Sequence, residues 1–156
     1  MTHNLKDKWV VWSHYSHDIN WSLSSYAPVM TVTCVEELVQ LMNTIPEKMM
    51  TSSMLFFMRE GVTPMWEDTR NRSGGCFSYK VGVEDVKRCW SNSCYAAAGE
   101  TLGNENFSSK VTGVSVSPKK GFCVLKIWMS DASHQAVSAI TLKDLNPVGC
   151  IFKRHQ

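Results

Sequence analysis

"KVTGVSVSPKKGFCVLKIWMS", residues 110–130, decides the fold. Two runs rich in β-branched and aromatic residues flank "PKKG", a short basic connection with turn chemistry, so the stretch predicts a pair of strands joined as a hairpin. In an extended chain successive side chains point to opposite faces. The second run therefore sets Cys123, Leu125, Ile127 and Met129 on one face and Phe122, Val124, Lys126 and Trp128 on the other. The first face is apolar throughout and has to meet helices. The second carries a Lys and a Trp, so it is at least partly solvated or turned toward a ligand.

Upstream, "KWVVWSHY" (8–15) and "SMLFFMRE" (53–60) are further β-rich runs of strand length. Between them "TVTCVEELVQLMNTIPEK" predicts a helix. Thr33 with Glu36 three places on has the spacing of a capping box. Val35, Leu38, Val39, Met42 and Ile45 recur at helical intervals, and Pro46 stops the run. A second helix is predicted over 84–99, with Val86, Trp90, Cys94 and Ala97 on one stripe and Gly99 near its end. Downstream, a third helix is predicted over 133–145 with Val137 and Ile140 inward, and "VGCIFKR" as a last strand. Strands and helices do not alternate regularly, which indicates an α+β fold with a largely antiparallel sheet and helices on one face. No repeat, low-complexity tract or linker interrupts the chain, so residues 1–156 are expected to form one domain.

The bulk composition narrows the function classes. At 156 residues, 44% hydrophobic and 19% charged, the chain can bury one full core. A net charge of +2 excludes a strong overall field, so any basic patch is local. "MTHNLKDKWVVW" lacks the apolar core of a signal peptide, and no run approaches a membrane span. The expected compartment is therefore the cytoplasm, with the nucleus also open. The six Cys show no C-x-x-C pair and no close His, so zinc spacing is absent and six free thiols are expected. The N-x-S triplets at Asn20, Asn71 and Asn106 are then coincidental.

Catalytic signatures are missing. The five His fall in no H-x-x-x-H or H-x-E arrangement, and there is no G-x-S-x-G elbow, P-loop or G-x-G-x-x-G. The expectation is a binding protein, not an enzyme, with no catalytic residue, metal or cofactor. "KKGFCVLKI" (119–127) partly matches the RNP1 element of RNA-recognition motifs, but Val124 replaces the second stacking aromatic and Cys123 the small residue.

Tryptophan is the anomaly, with six at positions 9, 12, 21, 66, 90 and 128. Trp21, in "HDINWSLSSY", and Trp66, in "GVTPMWEDTRNRSGGCF", lie in polar loops and belong to no apolar periodicity. A large apolar ring is rarely left in water without reason. Two parallel indoles can sandwich a planar ring, and an adjacent carboxylate can accept hydrogen bonds from that ring's edge. Guanine offers the donor pair, N1–H and N2–H₂, that a carboxylate accepts from bidentately.

"HNLKDKWVVW" near the N-terminus, "PMWED" at 64–68, "GG" after Trp66, "W" and "GE" at 90 and 99–100, and "IW" at 127–128 resemble, in order, the eukaryotic translation initiation factor 4E family, the mRNA cap-binding proteins. The resemblance runs nearly the whole chain. It implies a curved antiparallel sheet with three helices on the convex face and the 7-methylguanosine cap in the concave slot. It further implies that Trp21 and Trp66 stack on the base, that Glu67 and the Trp66 backbone N–H read the guanine edge, and that Trp128 lies near the N7-methyl group. Lys119 and Lys120 fall where the family binds phosphate.

Departures bear on partners. Val39 stands where the family usually has a Trp that docks a helical peptide of the scaffold factor 4G or of an inhibitor. Ser91 and Tyr95 stand where it has Leu, while His3 and Val35 on the same dorsal face are retained. Phe77 replaces another Trp, and the family's third basic position falls on Val124. The resemblance thus implies capped mRNA and a 4G-like or other 4E-interacting protein as partners. A cap-binding repressor that does not recruit the usual scaffold, and a general single-stranded RNA-binding module, remain as alternatives.

Overall fold

The computed structural model describes residues 1–156. Seven strands form one sheet: β1 (Asn4–Tyr15), β2 (Ala27–Cys34), β3 (Ser53–Arg59), β4 (Gly75–Gly82), β5 (Val111–Pro118), β6 (Phe122–Met129) and β7 (Ile151–Arg154). Their order is β2-β1-β3-β5-β6-β4-β7 and every pair is antiparallel. Register shifts between Val11 and Trp12 and between Val111 and Gly113 are bulges, which bend strands and help curve a sheet. Gly121, at φ 85, makes the tight return between β5 and β6 that a side chain would strain.

The alternation in β6 holds. Cys123, Leu125, Ile127 and Met129 join a core of 30 buried residues with the inner faces of α1 (Val35–Thr44), α2 (Glu47–Ser52) and α3 (Val86–Ala98). The α3 stripe of Val86, Trp90, Cys94 and Ala97 is buried as its spacing requires. On the other side of the sheet a cluster of six, Tyr26, Phe56, Met58, Val62, Cys76 and Trp128, is not covered by helices. All six cysteines are free, as expected.

Four expectations need correction. The segment 133–145 is not helical beyond one 3-10 turn at Val137–Ala139. Tertiary ties hold it irregular: the Thr141 N–H donates to Leu102 O, and Asp144 accepts from Arg88 and Asn92. Val137 and Ile140 still pack against the core, and beside α1 and α3 that face carries two short helices, α2 and α4 (Glu105–Ser108), instead of one third helix. Thr33 does not cap α1; pairing with β1 keeps β2 extended through Cys34, which becomes the N-cap. Glu37 instead takes the Thr33 N–H and hydroxyl. The α1 face that is buried is Leu38, Leu41, Met42 and Ile45, leaving Val35 and Val39 exposed. Finally, β2 and β4 are strands that the pattern did not announce. No helix is long and apolar enough to cross a membrane.

The Asn71 side chain of its N-x-S triplet is buried completely, and Arg59 explains "GE". The Arg59 guanidinium, buried under β1, bonds both oxygens of Glu100 at 2.7 and 3.0 Å, Asp7 at 2.6 Å and the carbonyls of Val111 and Ser108. It lies over the Trp9 ring, 4.6 Å from its centroid. Motif residues 99–100 are thus structural.

Candidate functional site

The slot opens on the uncovered side of the sheet. A cavity of about 280 Å³ is bounded by Trp21, Trp66, Glu67 and Trp128 over a floor that includes Tyr26 and Phe56. A second, of about 250 Å³, continues from it and shares Trp66, Lys126 and Trp128, with Cys76, Lys153 and His155 among its other walls. The four residues expected to hold a base therefore meet in one place. Trp21 and Trp66 are 52% and 46% exposed, whereas Trp128 is 7% exposed, so two indoles stand free and the third is part of the floor.

Each wall has a local cause. In the loop after β3, the adjacent acids divide the work. Asp68 turns inward and accepts from the Thr63 N–H and hydroxyl and from the Arg70 N–H, each at 2.8 Å. Burial raises its pKa, but these hydrogen bonds outweigh burial and hold the carboxyl below the usual aspartate range. Glu67 has no such partner and stays exposed at the cavity. Asn71 anchors the loop from beneath, donating to the carbonyls of Thr63 and Met65 and accepting from the Thr112 hydroxyl of β5 at 2.7 Å. Gly75 lets β4 enter between neighbours, since a Cβ there would lie 2.3 Å from Lys153 O.

Trp21 rests on His14 of β1, ring centroids 4.3 Å apart and planes within 5°. The buried His14 Nε2–H donates to Asn20 O at 2.8 Å, tying the strand to the loop that carries Trp21. One indole face is thereby covered and the other is left to the slot. Trp128 is fixed by its Nε1–H donating to Ser115 Oγ at 2.9 Å and by an edge contact with Phe56.

His155 closes the floor beside Trp128, rings 5.2 Å apart. Its Nδ1 faces Asn71 O at 2.8 Å, so that nitrogen carries the proton and Nε2 accepts from the Cys76 thiol at 3.2 Å. Burial lowers the His155 pKa, which keeps the ring neutral near pH 7. Burial pushes the Cys76 thiol up to about 12, so the pair is a thiol and a neutral imidazole with no nucleophilic character.

The remaining expected residues lie elsewhere. Lys119 and Lys120 sit at the exposed β5–β6 tip and line neither cavity. The basic groups that do are Lys126, Lys153 and Arg154, which the sequence did not single out. Lys126 was legible from its place on the Trp128 face, but β7 gave no local signal of its position. On the helical face, His3 is exposed, its backbone N–H donates to Glu36 and its ring lies 3.2 Å from the same carboxylate. Val35 and Val39 border a shallow groove on α1, and Ser91 and Tyr95 lie half-buried on α3.

A family model described as eukaryotic initiation factor 4E matches residues 4–148. The chain belongs to the initiation factor 4E family. Eukaryotic translation initiation factor 4E-1 of Schizosaccharomyces pombe is 28% identical over 161 residues, covering 99% of this chain and 69% of that relative. Among solved structures, the complex crystal structure of Ascaris suum eIF4E-3 with m7G cap has a TM-score of 0.76 at 23% identity, covering 85% of this chain and 76% of that one. The complex of C. elegans eIF4E-3 with the 4E-binding protein Mextli has a TM-score of 0.75 at 23% identity, covering 85% and 78%. At such identity the likeness is one of fold, and it extends over most of the initiation factor 4E chain.

Proposed function

We propose that the slot binds the 7-methylguanosine 5′ cap of mRNA and that the protein acts in translation initiation or its regulation. The observation that carries this reading is the convergence of two half-exposed indoles, Trp21 and Trp66, with a free carboxylate, Glu67, on one cavity. Trp21 and Trp66 sandwich the base. Glu67 accepts from guanine N1–H and N2–H₂, with the Trp66 backbone N–H donating to the base. Trp128 lies beside the methyl group.

The energetics fit that assignment. Stacking is worth ~1–3 kcal/mol per base. Methylation at N7 leaves a delocalised positive charge, and cation–π attraction adds ~0.5–2 kcal/mol per desolvated indole face. An increment of ~1 kcal/mol on each face already favours methylated over unmethylated base roughly 30-fold. The Glu67 carboxylate adds ~1.5–3 kcal/mol for guanine and nothing comparable for adenine, which lacks the donor pair. No bond is made or broken.

Partners follow the same reading: capped mRNA in the slot, and on the helical face a 4G-like scaffold or another 4E-binding protein, contacted by His3, Val35, Val39, Ser91 and Tyr95. The structure of C. elegans eIF4E-3 in complex with the 4E-binding protein Mextli supports a protein partner of that kind. The small Val39, exposed on α1, favours a regulatory isoform with a changed partner over an ordinary scaffold recruiter.

Retention on immobilised 7-methyl-GTP tests the site. Wild type is expected to be eluted by free 7-methyl-GTP and not by GTP, and Trp66→Ala and Glu67→Ala are each expected to pass through the column. Retention of either variant at wild-type level would mean the base sits elsewhere.

A further inference from the structure

We infer that Phe122 is a second base platform, stacking on a base of the RNA chain that follows the cap, with the Glu84 carboxylate beside it to read that base's amino group. The assignment rests on the cap-binding reading above and extends it from the cap to the body of the transcript.

Phe122 has no packing use. It begins β6 and shares the slot face with Val124, Lys126 and Trp128. The ring is partly exposed and joins neither apolar cluster. What lies over it is the Lys80 ammonium, 4.5 Å from the ring centroid. Lys80 is a diagonal neighbour on β4, since Gly82 is opposite Phe122 and Lys80 opposite Val124. Lys119 faces Phe122 across the tight turn, its N–H donating to Phe122 O at 2.8 Å. Neither lysine forms an ion pair, so the ring is framed by free cations.

The stretch "KKGFCVLKI" gains a use on this reading. In RNA-recognition motifs the RNP1 aromatics stand on an open sheet face and stack bases. Phe122 holds the first of those positions and faces the side of the sheet that no helix covers. Val124 at the second leaves a single platform. Roughly 20 Å of strand separate Phe122 from Trp128, beyond the reach of 7-methyl-GTP with its base between the indoles. The strip between them carries Lys126, Ser78, Val124 and Lys80 and no acid. A polyanion leaving the slot along β6 and β4 therefore crosses a basic surface before it meets Phe122.

The platform also has a reader. A Cβ on Gly82 would stand 2.7 Å from Glu84 Oε1, so Glu84 folds back onto the slot face. Its carboxylate is exposed, in no ion pair, and roughly 5 Å from Phe122, one strand spacing away. A ring face with a free carboxylate beside it is the pairing of Trp66 and Glu67 in smaller form. Adenine and cytosine offer that carboxylate an exocyclic amino donor, and uracil offers only an oxygen in its place.

The test compares dissociation constants for 7-methyl-GTP and for capped RNAs of about five nucleotides. Phe122→Ala is expected to weaken capped oligoadenylate at least fivefold and 7-methyl-GTP less than twofold. Phe122→Tyr, which keeps the ring, is expected to match wild type on both. Equal losses on both ligands, or no loss on the RNA, overturn the platform. Wild type is expected to bind capped oligocytidylate at least threefold tighter than capped oligouridylate, and Glu84→Ala to bind the two alike. No such preference in wild type overturns the role of Glu84. Failure of wild type to prefer 7-methyl-GTP over GTP overturns the cap reading instead. In that case uncapped oligoadenylate, followed by fluorescence anisotropy at low salt, still decides the platform: binding lost in Phe122→Ala supports it, and no binding by wild type overturns it.

Discussion

The two loops that present Trp66 and Trp21 are built in different ways. The Trp66 loop is held from within by Asp68 and from below by the fully buried Asn71, which links it to β5 through Thr112 and to the end of the chain through His155. The Trp21 loop is tied at its start by the Ser16 N–H and hydroxyl to Ser52 O, and beyond that by one ring stack on His14, one hydrogen bond to Asn20, and short local turns in which Asp18 and Asn20 accept from residues two places on. One wall is cross-braced to distant strands and the other is propped. Glu67, which under the proposed reading has to meet a ring edge in register, stands on the braced wall. Stacking tolerates sliding of a ring face far better than a bidentate hydrogen bond tolerates displacement, so the proposed reading leaves stacking alone to the propped wall.

Substitutions can break that contrast. The largest effect is expected at Asn71. Asn71→Ala strands the carbonyls of Thr63 and Met65 and the Thr112 hydroxyl, at ~1–3 kcal/mol for a buried unsatisfied group. A loss of ~3 kcal/mol corresponds to a fall of roughly 6–12 °C in Tm for a chain of this size. Thermal unfolding at the wild-type temperature would show that the wall is not braced in this way.

Asp68 is next and is read through pH. Its pKa is lowered in the folded protein, so it contributes stability above the ordinary carboxylate range, and that contribution is lost as pH falls through the lowered value. The stability gap between wild type and Asp68→Asn should therefore be widest near neutrality and shrink between about pH 5 and about pH 2. Chemical denaturation across that range checks it, and a gap independent of pH would remove the carboxylate from the bracing.

A smaller effect belongs to the propped wall. An aromatic pair is worth ~0.5–1.5 kcal/mol beyond its area, so His14→Ala is expected to weaken 7-methyl-GTP roughly 3–10-fold, and His14→Phe to restore most of it by keeping a ring under Trp21. Equal losses in both variants would assign the effect to the Asn20 bond instead. Ser115→Ala, which leaves the buried Trp128 indole N–H without its acceptor, should cost ~1–3 kcal/mol of stability in chemical denaturation.

Much of this was legible from local pattern. The alternation in 122–129 assigned both faces of β6, and the 3.6-residue stripe of α3 located its buried side. Trp21, Trp66 and Glu67 stood out because a loop has no packing use for such residues in such company. What escaped was set by distant partners. Thr33 has the residue type and spacing of a cap, yet pairing of β2 with β1 moved the helix start one residue on. Residues 133–145 carry helical apolar spacing, yet Leu102, Arg88 and Asn92 hold them irregular. The basic end of the slot depends on β7 docking beside β4, a pairing between residues more than seventy apart, which no window of sequence displays. His14 belongs to no motif that would single it out, yet it is buried beneath Trp21.

The most direct test of the central claim is a titration of intrinsic tryptophan fluorescence with 7-methyl-GTP and, in parallel, with GTP. Strong saturable quenching by 7-methyl-GTP, with GTP at least tenfold weaker, is the result expected of a sandwich between Trp21 and Trp66 closed by Glu67. Equal responses to the two nucleotides, or none to either, would contradict it.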